Sequence, residues 1–158
     1  MDPEEDWLPP LVTLNDFGGD WNVYIDEVYR LFRRDFIDDQ PRHDGLLVRC
    51  RRDPIFDGKE AGFWHCTSEG RDEEDRIPDL RRCERIAWVR AVIEHPSDPR
   101  VESWSLEKRG DFRHYLWFEE SYLIVLAARR GYFQFVTAFC TPQERYRTTL
   151  RRERDGCL

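Results

Sequence analysis

Polar and apolar positions follow two different periods along this chain. From Trp21, the residues Tyr24, Ile25, Val28, Leu31 and Phe32 recur at helical spacing, which predicts an amphipathic helix over residues 20–37. Asp20, just after the Gly18-Gly19 pair, suits its N-cap. Leu80, Cys83, Ile86 and Ala87 form a second helical stripe over residues 79–90, with Pro78 at its start. Elsewhere the pattern is strand-like. Residues 46–51 alternate, with Leu46 and Val48 on one face. Residues 63–68 (FWHCTS) are short and aromatic and read as extended. Residues 101–106 read as a strand, and Lys108-Arg109-Gly110 as a tight hairpin turn. Three strand-like runs then stand almost back to back, at 111–119, 122–128 and 132–140. Their connections, Glu119-Glu120-Ser121 and Arg129-Arg130-Gly131, are too short for anything but antiparallel neighbours.

Helices and antiparallel strands segregate in this order, which predicts an α+β fold. Two main helices pack on a small antiparallel sheet with a C-terminal β-meander. Residues 1–45 read as an acidic N-terminal extension and helix, with an extended, proline-containing lead over 1–19. Residues 46–158 read as the main domain, interrupted by a charged loop at 69–75.

Charge divides the chain unevenly. The net charge of −7 splits into −8 over residues 1–40 and +1 over residues 41–158. An acidic total argues against non-specific nucleic-acid binding, which depends on phosphate neutralisation, but leaves room for a local basic groove. Five cysteines, Cys50, Cys66, Cys83, Cys140 and Cys157, occur without a CxxC pair, so neither a disulfide framework nor a zinc knuckle is signalled. Residues 1–10 are acidic and lack an apolar run, so no signal peptide is expected, and no stretch approaches a membrane span. The expected setting is the reducing cytoplasm, with no membrane partner.

Several residue types bear chemistry. His65, next to Trp64, titrates near neutrality and can move a proton either way. The alternative is a half-buried imidazole bonded to the backbone. Arg81, Arg82 and Arg85 share neighbouring helical positions, where guanidinium groups can fork onto phosphate oxygens or pair with Asp79 and Glu84. Lys108 and Arg109, at a hairpin tip, can reach a polyanion or remain an ordinary polar turn. Strand alternation puts Phe135, Thr137 and Phe139 on one face. There the Thr137 hydroxyl could hold a phosphate or ribose oxygen, with Phe139 as a stacking surface, or serve only as a good strand residue. The C-terminal arginines 145, 147, 151, 152 and 154 either bind a phosphate backbone or lie against the acidic N-terminal segment. No phosphate-binding loop, dinucleotide fingerprint, nucleophile elbow or HExxH motif is present. The histidines lack metal-ligand spacing, so neither a metal nor a cofactor is expected.

From Phe56 onward the chain resembles the phage-associated branch of the Barnase–EndoU–colicin–RelE-like (BECR) nuclease superfamily. The resemblance rests on GKEAGFWH (58–65), PDLRRCERIAWVR (78–90), WSLEKRG (104–110) and YLIVLAARRGYFQFVTAF (122–139). It implies metal-independent RNA cleavage, in which the ribose 2′-OH attacks the adjacent phosphate and leaves a 2′,3′-cyclic phosphate. On the matching motifs, His65 is the implied acid or base, Arg82 and Arg85 with Lys108 the phosphate clamps, Thr137 the orienting hydroxyl and Phe139 the stacking ring. Arg82, as a catalytic group, would be dispensable for folding. Two features depart from the pattern: the acidic net charge, and Phe139 where related closing motifs often carry tyrosine. The expected function is an endoribonuclease acting on RNA, as the toxin of a toxin–antitoxin or phage-defence pair with an antitoxin or other protein partner. The alternative is a non-catalytic protein- or RNA-binding module on the same fold.

Overall fold

The computed structural model describes residues 6–70 and 76–156. Residues 1–5 of the acidic lead, residues 71–75 of the charged loop, and Cys157 lie outside the described residues. Asp20 caps α1 (Trp21–Phe32), its carboxylate accepting from the Asn22 and Val23 amides. The helix buries Tyr24, Ile25, Val28, Leu31 and Phe32, then runs into a π-helical turn, Arg33–Asp38. β1 (Arg42–His43) and β2 (Leu46–Arg49) form a short hairpin. A second small hairpin, β3 (Ile55–Phe56) with β4 (Lys59–Glu60), leads into α2 (Ala61–Thr67). β5 (Ser68–Glu69) pairs with β6 (Ile77–Pro78), and α3 (Leu80–Glu84) and α4 (Ile86–Ile93) follow. The meander comprises β7 (Val101–Lys108), β8 (Asp111–Phe118), β9 (Tyr122–Arg129) and β10 (Tyr132–Cys140), and α5 (Glu144–Arg154) comes last.

The fold is α+β, and the meander is continuous with β9 inside it. The sheet order is β1-β2-β10-β9-β8-β7. The sheet is mixed rather than purely antiparallel, because β2 runs parallel to β10 through Phe133↔Val48 and Gln134↔Arg49. Among the described residues five α-helices flank it where two main ones were expected. On one face α1, α2 and α4 cover a core that includes Phe32, Phe63, Val89, Ile124 and Phe135. On the other face α5 lays Leu150 over Trp104, Tyr115, Trp117, Leu123 and Val125. With both faces covered, residues 122–127 of β9 are all buried, which explains their unbroken apolar run. Among the described residues no helix is long and apolar enough to cross a membrane.

Three local expectations are corrected. The stretch expected to be extended at 63–68 is mostly the helix α2. Ala61, Phe63, Cys66 and Thr67 form its buried face, while the Thr67 and Ser68 hydroxyls donate to the Phe63 and Trp64 carbonyls at its end. Packing against β10 overrides the strand preference of its aromatic and β-branched residues. The single helix expected over 79–90 breaks at Arg85 (φ −104°, ψ 20°) into α3 and α4. Finally, β10 carries a bulge at Val136, between Phe135↔Leu126 and Thr137↔Val125. The extra residue resets the alternation. Phe135 and Ala138 therefore enter the helix-covered core while Val136 and Phe139 pack toward α5. Phe135 and Phe139 lie on opposite faces, not on one.

Candidate functional site

The bulged half of β10 is where the candidate residues gather. β2 pairs with β10 only at Phe133 and Gln134, and beyond them α2 and α3 lie against the strand. Arg82 reaches from α3 into this junction and is only 8% exposed. Its Nη1 donates to the Ser68 carbonyl at 2.8 Å, to Thr137 Oγ1 at 3.4 Å and to the His65 carbonyl at 3.5 Å. Its Nε lies 3.5 Å from Asp79 Oδ2, and its guanidinium carbon lies 5.4 Å from the Phe139 ring centre. Of the three residues expected to be catalytic, Arg82 meets Thr137 and the His65 main chain, but neither Arg82 nor Thr137 lines the cavity that holds the His65 side chain. Arg82 joins α2, β5 and β10 from inside the protein, and the Thr137 hydroxyl accepts one of its N–H groups.

His65 itself lines a cavity of about 320 Å³ with Arg51, Gly62, Arg129, Gln134 and Val136. α2 supplies the imidazole, the segment after β2 supplies Arg51, the end of β9 supplies Arg129, and the bulge supplies part of the wall. Gly62 sets the distance between the first two. Its amide donates to the Arg51 carbonyl at 2.6 Å, and a Cβ there would come within 2.7 Å of Cys50 Cβ. Arg129 Nη1 holds Asp111 at 2.7 Å, and Asp111 also accepts from Arg113 at 2.9 Å. The Arg129 bond keeps the Asp111 carboxyl below its ordinary range. One carboxylate thus serves two guanidinium groups. Arg51 makes no ion pair among the described residues and stands beside the imidazole in this cavity. A wider hollow of about 490 Å³ adjoins it, sharing Arg51 and Gln134 and adding Arg49, Arg52 and Tyr132.

The remaining candidates lie apart from this cavity. Trp64 turns toward the β3–β4 hairpin, donating its indole N–H to the Phe56 carbonyl at 2.9 Å. Phe139 stacks on Tyr146 of α5, with ring centres 6.0 Å apart. Arg81 and Arg85 line a different hollow at the other end of β10. Lys108 and Arg109 border a third hollow at the β7–β8 turn, three strands from β10, about 14 Å by ladder spacing. Lys108 Nζ pairs with Glu153 at 3.1 Å instead of extending freely into solvent. Among the described residues the C-terminal arginines do not pair with the acidic N-terminal segment. Arg151 binds Glu120 and Glu144, and Arg154 binds Glu102, Glu120 and Asp155. The N-terminal segment packs by other contacts: Trp7 stacks on His95 at 4.3 Å and donates to Asp98, while Asp6 pairs with Arg100.

Two groupings escaped the sequence reading. Arg49, Arg51 and Arg52 were legible as a basic run, but nothing in the run shows that it faces His65. His43 and His114, 71 residues apart, meet with their Nε2 atoms 3.0 Å apart. His43 Nδ1 lies 2.9 Å from the Ile93 carbonyl, so it carries the proton; His114 Nε2 then donates to His43, and His114 Nδ1 accepts from Ser105 at 2.8 Å. Burial pulls the His114 pKa below its ordinary value, and the neighbouring His43 adds to this. Cys50 and Cys83 are poor nucleophiles: burial pushes the Cys50 thiol up to about 11 and Cys83 up to about 12. Among the described residues no group of three or more His, Cys, Asp or Glu is placed to hold a metal ion. No family model, no curated protein and no solved structure matches this chain.

Proposed function

We propose that this protein is a metal-independent endoribonuclease of the BECR type, with the His65 cavity as its site. One observation carries the reading: an imidazole shares a cavity with Arg51, Arg129 and Gln134 beside the bulge of β10. Transfer of a phosphoryl group to a ribose 2′-OH needs a proton acceptor for the hydroxyl, a donor for the leaving oxygen, and cations for the charge that builds on phosphorus. His65 takes the proton of the 2′-OH as the new P–O bond forms, and solvent water protonates the leaving 5′-oxygen. Arg51, which pairs with no carboxylate among the described residues, binds the charged phosphate, and the Gln134 amide orients it. Arg82 is a positioning residue, holding α2 to β10 through the Ser68 carbonyl and Thr137. The adjoining hollow, with Arg49, Arg52 and Tyr132, extends the surface in the way a single strand requires, cations for phosphates and a ring for a base.

The test is cleavage of single-stranded RNA by purified protein in EDTA, with product ends analysed for cyclic phosphate. His65→Ala is expected to slow cleavage by about 100-fold or more, the scale of a lost general acid or base, while leaving RNA affinity nearly unchanged. Absence of cleavage by the wild-type chain on any RNA refutes the reading. A non-catalytic binding module then takes its place, and the exposed Ile55 (63%) and Phe56 (45%) on the β3–β4 hairpin favour that second reading.

A further inference from the structure

The hollow at the far end of β10 has a volume of about 230 Å³ and is lined by Arg81, Arg85, Ser121, Cys140, Pro142 and Arg147. Four parts of the fold build it: α3, the β8–β9 turn, the end of β10 and the start of α5. Thr141, only 1% exposed, fixes their junction. Its amide donates to the Ser121 carbonyl at 2.8 Å, and its hydroxyl donates to the Glu120 carbonyl at 3.1 Å and accepts from the Trp117 indole at 3.0 Å. Its carbonyl accepts from Arg147 Nε at 2.7 Å. The concavity is therefore part of the packed structure.

The charges in it are handled differently from those of the arginines that carboxylates neutralise. Arg90, Arg100 and Arg151 each contact two carboxylates at 3.1 Å or less. In the hollow, carbonyls take the place of carboxylates. Arg85 Nη1 donates to the Arg81 carbonyl at 3.2 Å, and Arg147 Nε to Thr141. Their ion pairs among the described residues are long ones, Arg85 to Glu84 at 3.8 Å and Arg147 to Glu144 at 3.9 Å, and Glu144 already binds Arg151 at 2.6 Å. Arg81 makes none. Three guanidinium groups held this way repel one another and keep most of their charge for a ligand. Their planar N–H forks match phosphate oxygens. Three cations exceed the single charge of a phosphodiester and suit a dianion.

We infer that this hollow binds a phosphomonoester dianion, carried either on the end of a polynucleotide or on a free nucleotide. The site is distinct from the His65 cavity and does not depend on cleavage. The probes are short DNA oligonucleotides bearing a 5′-phosphate, a 3′-phosphate or neither, which lack the 2′-OH and stay intact whether or not the protein is a ribonuclease. Binding is read by fluorescence anisotropy. One phosphorylated form is expected to bind at least about tenfold more tightly than the unphosphorylated form, the scale of one charge-assisted interaction, and added salt should shrink the difference. Arg81→Ala should abolish the preference, whereas Arg152→Ala, which removes an exposed charge outside the hollow, should preserve it. Displacement by AMP assigns the site to free nucleotides; a preference that AMP does not displace assigns it to polynucleotide ends. Equal affinity for all three oligonucleotides, or a preference that survives Arg81→Ala, overturns the inference.

Discussion

Arg82 offers the sharpest test of the structure, because its environment contradicts the expectation that it is dispensable for folding. Its Nη1 lies 2.8 Å from the Ser68 carbonyl, in a junction also formed by Thr137 and the His65 carbonyl. Arg82→Met retains most of the aliphatic volume and removes the guanidinium. A buried hydrogen bond from a charged group contributes about 1.5–3 kcal/mol, and the longer contacts to Thr137 and His65 add less. The Ser68 carbonyl is not stranded by the change, because Arg76 also donates to it. Arg82 Nε is buried without a hydrogen bond, so removing it recovers part of the loss. The net destabilisation is about 2–3 kcal/mol, which for a chain of this size lowers the melting temperature by about 4–12 °C. Thermal unfolding followed by circular dichroism measures it. Arg82→Lys should rescue less than half, since an ammonium cannot fork across the same acceptors. A methionine variant that melts within about 1 °C of the wild type would refute the structural role and return Arg82 to the list of groups free to contact substrate.

Two further outcomes follow from the same geometry. Gly62→Ala should cost about 1–3 kcal/mol by urea unfolding, because its Cβ would lie 2.7 Å from Cys50 Cβ and push α2 away from Arg51; cleavage should fall with it, and unchanged stability would show that the contact is loose. The pH dependence of stability should report the His43–His114 pair. The folded state disfavours protonated His114, whose unshifted value is 6.5, so the unfolded chain binds more protons once the pH falls through that range. This contribution to stability is present above pH 6.5 and is lost as the pH drops below it. The melting temperature should therefore fall from about pH 7.5 to about pH 5 by more in the wild type than in His114→Gln, and parallel curves would count against the pair.

What was legible in the sequence is what depends on near neighbours along the chain. The helical spacing after Trp21, the Asp20 cap and the short turns at residues 109–110 and 130–131 each express a local preference, and each appears in the fold. The two-residue turn at Arg109-Gly110 places both residues at positive φ, 53° and 78°, the geometry that matches strand twist. The unbroken apolar run of β9 signalled a strand buried on both faces. Contacts across the fold decided the rest. FWHCTS has the composition of a strand, yet it is a helix because Phe63 and Cys66 find a core at helical spacing. The bulge at Val136 carries no signature in FQFVTAF; it exists because β10 leaves β2 after Gln134 and meets α2 and α3 instead. That one inserted residue separates Phe139 from Phe135 and brings Val136 to the cavity wall. Arg82 looked like a surface cation because its neighbours in sequence are charged, and it is buried because Ser68 and Thr137, 14 and 55 residues away, supply its acceptors. Local periodicity can say which face a residue shares with its neighbours; only the assembled sheet and helices determine what waits on that face.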